Sequence, residues 1–132
     1  MLFRSIILNA MKTMISVCQK ENKSLQDYTR RFKTSRDVLI LHMGGPIILM
    51  KFTKTMSGYN ETDATITKKC QEDAFKMLLA FMYLKNSDKN KYGTMLPGLA
   101  LKQSLGNNQY PLTITEANND LSNHRFDKQP LL

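Results

Sequence analysis

Residues Gln19 to Phe32 read Q-K-E-N-K-S-L-Q-D-Y-T-R-R-F, a polar turn that runs into a helix with one apolar and one basic face. Ser24 carries the short hydroxyl side chain that caps helix N-termini, and Asp27 three residues on puts an acid in the first turn, where the helix dipole favours it. Leu25, Tyr28, Phe32 and Leu39 recur at offsets of three, seven and fourteen residues, which aligns them on one stripe, with Val38 and Leu41 widening it. Such a stripe requires a partner surface, so the spacing predicts a helix over 25–42 docked on a core. Asp27 precedes Arg31 by four positions, the favourable order for a surface ion pair, which contributes about 0.3 kcal/mol.

The bulk properties bound the rest. At 132 residues the chain is one domain's worth, and a composition of 42% hydrophobic and 23% charged residues excludes wholesale disorder. The net charge is +8, and residues 20–36 hold six cations against two acids, half of that excess. A helix face bearing Arg30, Lys33 and Arg36 suits a polyanion such as RNA through counterion release, and the plain alternative is a solvated surface. Cys18 and Cys70 lack metal-ligand spacing and read as reduced thiols. The apolar start, Leu2 to Leu8, is interrupted by Arg4 and followed by Asn9 and Lys12, so it lacks the run length for a membrane span and the cleavage pattern of a signal peptide, which makes the cytoplasm the expected compartment.

Outward from the organising helix, Ile7, Met11, Met14 and Val17 or Cys18 predict a helix over 3–18. It begins almost at Met1 without a cap, the pattern of a fold whose upstream half is missing. Gly44-Gly45-Pro46 ends the 25–42 helix, and Pro46 is expected to start a short, nearly all-apolar third helix through Ile47, Ile48, Leu49 and Phe52, buried between its neighbours. Thr62 is the expected cap of a long helix to about Lys85, with Ile66, Cys70, Ala74, Met77, Leu78, Phe81 and Leu84 on one face. The dense run Met77–Leu84 implies burial on two sides or contact with another chain. Residues 89–104 read as weaker helix divided at Pro97-Gly98, and Thr113-Ile-Thr-Glu116 opens a last helix whose Ile114, Ala117 and Leu121 share a face.

The order of Gln19, Leu25, Asp27, Tyr28, Arg31 and Phe32 resembles the major homology region of retroviral and retrotransposon gag capsid proteins. In that family the Gln and Arg belong to a buried hydrogen-bond network, with a Gly after the Gln and a Glu four positions after it. Lys20 and Lys23 stand there in this chain, so only Gln19 and Arg31 carry over as polar members and Leu25, Tyr28 and Phe32 as core members. Thr55-Met-Ser-Gly-Tyr59 and the stretch from Thr113 to Arg125 look like two further elements of copia-type gag polypeptides, in the correct order. The zinc knuckle that often follows in that family is absent from the sequence.

Catalytic chemistry finds little support in the sequence. Cys70 with His42 or His124 is the one cysteine combination, and Cys70 falls on an apolar stripe where burial silences a thiol. Glu72 and Asp73 are adjacent on a helix and so diverge, and no phosphate-binding glycine loop occurs. The five tyrosines are dispersed in sequence, not interleaved with the basic run.

The chain therefore reads as an all-α, retroviral-capsid-like bundle of about five to six helices over residues 1–127, with a C-terminal tail at 128–132. The resemblance implies a non-enzymatic gag fragment of an LTR retrotransposon that self-assembles into a shell around RNA, with no catalytic residues, cofactor, metal or small-molecule substrate. Its expected partners are further copies of itself and RNA, with no membrane contact. Two alternatives stand beside it. One is a stand-alone basic helical RNA- or DNA-binding module acting through Arg30, Lys33 and Arg36. The other is a decayed, inactive gag copy, to which the abrupt start, the missing knuckle and the two lysines in the turn point.

Overall fold

The longest apolar run becomes the central element of the fold. A computed structural model describes residues 2–124, with seven helical segments in the order α1 (Leu2–Ser16), α2 (Leu25–Met43), α3 (Met50–Lys54), α4 (Ala64–Lys85), α5 (Lys89–Tyr92), α6 (Met95–Ser104) and α7 (Ile114–Asn123). All regular structure among the described residues is helical, so the fold is an all-α bundle. Segments α3 and α5 are single turns of 5 and 4 residues, which leaves five helices of ordinary length. The expected tail at 128–132 lies outside the described residues.

Local chemistry sets the helix ends. The Ser24 hydroxyl accepts the Asp27 N–H at 3.0 Å, and Gly44, at φ 78°, closes α2 by donating its N–H to the Ile40 carbonyl at 2.8 Å. Asp63, not Thr62, caps α4: its Oδ1 accepts from the N–H groups of Thr65 and Ile66 at 3.0 and 3.2 Å. A carboxylate at that position is the stronger acceptor and complements the helix dipole. Thr113 caps α7 by accepting the Glu116 N–H, while the Glu116 carboxylate accepts from the Leu112 N–H at 2.8 Å.

α1 and α2 pack as a hairpin, and α4 runs through the middle, touching α3, α6 and α7. The core is built on Tyr28, Phe32, Met14, Tyr83 and Leu121, all fully buried. The Tyr28 and Tyr83 rings stack at 5.0 Å, and Phe32 meets Tyr83 edge-on at 5.4 Å. Two of the five dispersed tyrosines, Tyr28 and Tyr83, thus meet in the core. Ile114, Ala117 and Leu121 bring α7 onto this core, and among the described residues no helix is long and apolar enough to cross a membrane.

Several expected features differ. Residues 46–49 are not helical, and α3 begins only at Met50, because β-branched Ile47 and Ile48 favour extended backbone after the Gly44-Gly45 turn. α3 is not sandwiched: Ile48, Met50 and Phe52 are exposed, and Thr53 is its one buried residue. Val38 and Leu41 also face outward, since α1 covers only part of α2. On α4 the buried set is Cys70, Ala74, Phe75, Leu79, Ala80, Tyr83 and Leu84, while Ile66 and Phe81 are exposed. Neighbours on several sides cover this helix, so Leu79, Ala80 and Tyr83 of the dense run are buried beyond the single stripe, and Phe75 with them. Pro97-Gly98 lies inside α6: Pro97 is its third residue, where a missing N–H costs no intrahelical bond, and the Gly98 N–H continues the helix to Thr94 O at 3.0 Å. The break falls instead at Gly93–Thr94.

Candidate functional site

Gln19 of the organising stretch lies at a joint between distant parts of the chain. Gln19, only 7% exposed, donates its backbone N–H to Asn86 O at 2.9 Å and its Nε2 to Lys23 O at 3.2 Å, while its Oε1 accepts the Asp88 N–H at 3.0 Å. Asn86 completes the joint by donating Nδ2 to the Ile15 and Val17 carbonyls, each at 3.0 Å. These carbonyls, at the frayed end of α1, lack helical donors of their own. The turn between α1 and α2 is thereby tied to the turn between α4 and α5. Asn86 and Asp88 carry no sequence signal beyond a helix break, so their role becomes visible only once the two turns adjoin.

Arg31 donates Nη2 to Cys18 O at 3.0 Å and Nε to Asp27 Oδ2 at 3.1 Å, so it braces the same turn from α2 without a hydrogen bond to the Gln19 side chain. Leu25 is half-buried against the core, and Tyr28 and Phe32 are fully buried in it. Tyr28 Oη donates to Tyr83 O at 2.7 Å. The Thr29 and Tyr83 hydroxyls lie 2.7 Å apart, and Tyr83 Oη reaches Asn118 Oδ1 at 3.0 Å, linking α2, α4 and α7. Burial, opposed in part by the Thr29 hydrogen bond, pushes the Tyr83 hydroxyl up to about 12, and burial followed by the neighbouring Tyr83 raises Tyr28 still further. These groups hold their protons and serve as structural donors.

Of Arg30, Lys33 and Arg36, the two arginines are less available than their sequence suggests. Arg30 pairs with Asp27 at 2.7 Å and Arg36 with Asp37 at 2.9 Å. Hydrogen bonds from Arg30 and then Arg31 hold the Asp27 carboxyl below its ordinary value, so it stays ionised and offsets the helix charge. Asp37 lies one residue beyond the basic run, and because neighbouring helix positions diverge, helix spacing alone does not announce its pairing with Arg36.

The surface carries one apolar groove and one row of exposed apolar side chains. A groove of about 710 Å³ runs between α3, α4 and the loop before α7, lined by Phe52, Met56, Met77, Phe81, Tyr110 and Leu112. Along α1, Leu2, Phe3, Leu8 and Ile15 are exposed. Cys18 is an exposed free thiol and Cys70 a buried one, while the His124 ring lies 6.1 Å from Tyr92. Among the described residues no group of three or more His, Cys, Asp and Glu side chains is placed to hold a metal ion. No family model, curated protein or solved structure matches the chain.

Proposed function

We propose that this chain is a structural subunit of the gag capsid type, one that associates with copies of itself into a shell around RNA. One observation carries the reading. The residues of the homology-like stretch act in holding one interhelical joint, while large apolar side chains on α1 and around the Phe52–Phe81 groove remain uncovered. A frame that fixes its helix angles internally and leaves apolar faces open is suited to joining subunits. Gln19 and Arg31 act as positioning residues, and Tyr28 and Phe32 as the core beneath them.

Multi-angle light scattering at low and moderate salt tests the proposal. Self-association that grows with concentration is the expected result, and a strictly monomeric species at high micromolar concentration counts against it. The stand-alone nucleic-acid module remains the second reading, favoured by the +8 net charge. It is weakened at its original location by the carboxylates of Asp27 and Asp37.

A further inference from the structure

The Gln19 joint does more than fasten two turns: every one of its hydrogen bonds has a lysine beside it. Lys20 follows Gln19 directly, and Lys23 supplies the carbonyl that Gln19 Nε2 reaches. Lys85 precedes Asn86, which accepts the Gln19 N–H, and Lys89 follows Asp88, which donates to Gln19 Oε1. All four lysines are exposed, and none enters an ion pair among the described residues. Two of them come from the α1–α2 turn and two from the α4–α5 turn, so the cluster exists only in the folded chain.

Two acids in the same turns leave a formal excess of two positive charges, and neither is ion-paired to these lysines among the described residues. Glu21 is the exposed acid of the first turn. Asp88, in the second, is 5% exposed and turned inward, with Oδ1 capping α5 through the Asn90 N–H at 2.9 Å. Asp27, the next acid along, is engaged by Arg30 and Arg31. The Arg30–Lys33–Arg36 face presents the opposite case, with both of its arginines paired to carboxylates.

We infer that the lysine-ringed joint of Lys20, Lys23, Lys85 and Lys89 is a binding surface for the phosphate backbone of single-stranded RNA. Ammonium groups on flexible stems contact phosphates as point charges, without base selectivity, and each contact releases a condensed counterion. Four contacts to a single strand give a slope of log affinity against log salt of about −3, so binding weakens by about 50-fold between 50 and 200 mM salt. The inference takes up the RNA contact of the proposed function and does not depend on shell formation, since a monomer presents the same four groups.

The test uses the full chain and a fluorescein-labelled oligouridylate, read by fluorescence anisotropy across a KCl series. The variant carrying Lys20→Ala, Lys23→Ala, Lys85→Ala and Lys89→Ala is compared with one carrying Arg30→Ala, Lys33→Ala and Arg36→Ala. Circular dichroism melting of both confirms folding, which these exposed lysines do not support through packing. The inference expects the lysine variant to lose at least about tenfold in affinity at low salt, with its slope flattened by about 3, and the arginine-face variant to stay within about threefold. Unchanged binding by the lysine variant, a larger loss on the arginine face, or equal losses from both sets would overturn it. Light scattering of the lysine variant separates the two proposals, because shell assembly without RNA is expected to survive.

Discussion

Tyr28 supplies the hydroxyl proton that satisfies the backbone carbonyl of Tyr83, at 2.7 Å across 55 residues of sequence, while the two rings stack above one another. Tyr83 lies in the last turn of α4, where a carbonyl has no continuing helix to bond it. The Ser87 N–H that stands four residues on goes to Leu84 O instead. An aromatic core residue is thus also the cap of a helix end.

Tyr28→Phe keeps the ring stack and removes only the donor, leaving a buried carbonyl unsatisfied. The expected cost is about 1 to 3 kcal/mol, measured as a lowered urea midpoint with unchanged slope. Phe32→Ala at the same cluster removes a fully buried ring and is expected to cost about 3 to 5 kcal/mol, a loss sufficient to unfold a domain of ordinary stability.

At the joint, Gln19→Ala and Asn86→Ala each remove two side-chain hydrogen bonds, and each is expected to destabilise by about 2 kcal/mol. Because both hold the same pair of turns, the double variant should fall short of the sum by at least about 0.5 kcal/mol. Strict additivity in a denaturation cycle would show that the two turns are fastened independently.

Stability should decline in alkali. Tyrosine ordinarily ionises near 10.0, and in the fold Tyr83 is held up to about 12 by burial, with Tyr28 raised in the same direction. Above pH 10 the unfolded chain therefore releases protons that the folded chain retains, and the equilibrium shifts towards unfolding as pH rises through that window. Below pH 10 these two groups add no pH dependence. Urea midpoints at pH 8, 9.5, 10.5 and 11.5 check this, and Tyr28→Phe should shallow the decline.

The groove offers a test of subunit contact that spares the core. Phe81 is 44% exposed, so Phe81→Asp should leave the melting temperature within a few degrees of the parent. If the Phe52–Phe81 groove joins subunits, sedimentation velocity should show the association constant falling by at least about tenfold. Retained association would direct attention to Leu8 and Ile15 on α1.

Gly44→Ala isolates a backbone effect. No atom lies within 4 Å of the position an added Cβ would take, so the whole cost comes from holding φ at 78°. About 1 to 2 kcal/mol is expected from thermal melts.

Capped, strongly periodic helices were legible in the sequence. Ser24 and Thr113 announce α2 and α7, and the Tyr28–Phe32 and Ile114–Leu121 stripes mark faces that do become buried. The misses have separate physical causes. Burial of α4 depends on what surrounds it: Leu79 and Tyr83 are buried within the dense run that implies cover on two sides, whereas Phe75 lies outside both that run and the stripe, and Phe81, on the expected stripe, stays exposed. Ile47 and Ile48 were assigned by hydrophobicity to a helix that their branched β-carbons resist. Asn86, Asp88 and Asn118 act through partners tens of residues away, and no local pattern announces such partners.

The Gln19–Asp88 bond spans 69 positions. A ribosome adding about 5 to 20 residues per second needs roughly 3 to 14 s to cover that interval. The amino-terminal hairpin is complete once Met43 has been added, so over the last 45 of those positions, about 2 to 9 s, it has nothing to latch onto, and its oily side is open to chaperones or to sister nascent chains on the same message. Vectorial synthesis therefore cannot finish this protein from front to back: the first third is locked only after the α4–α5 turn has emerged.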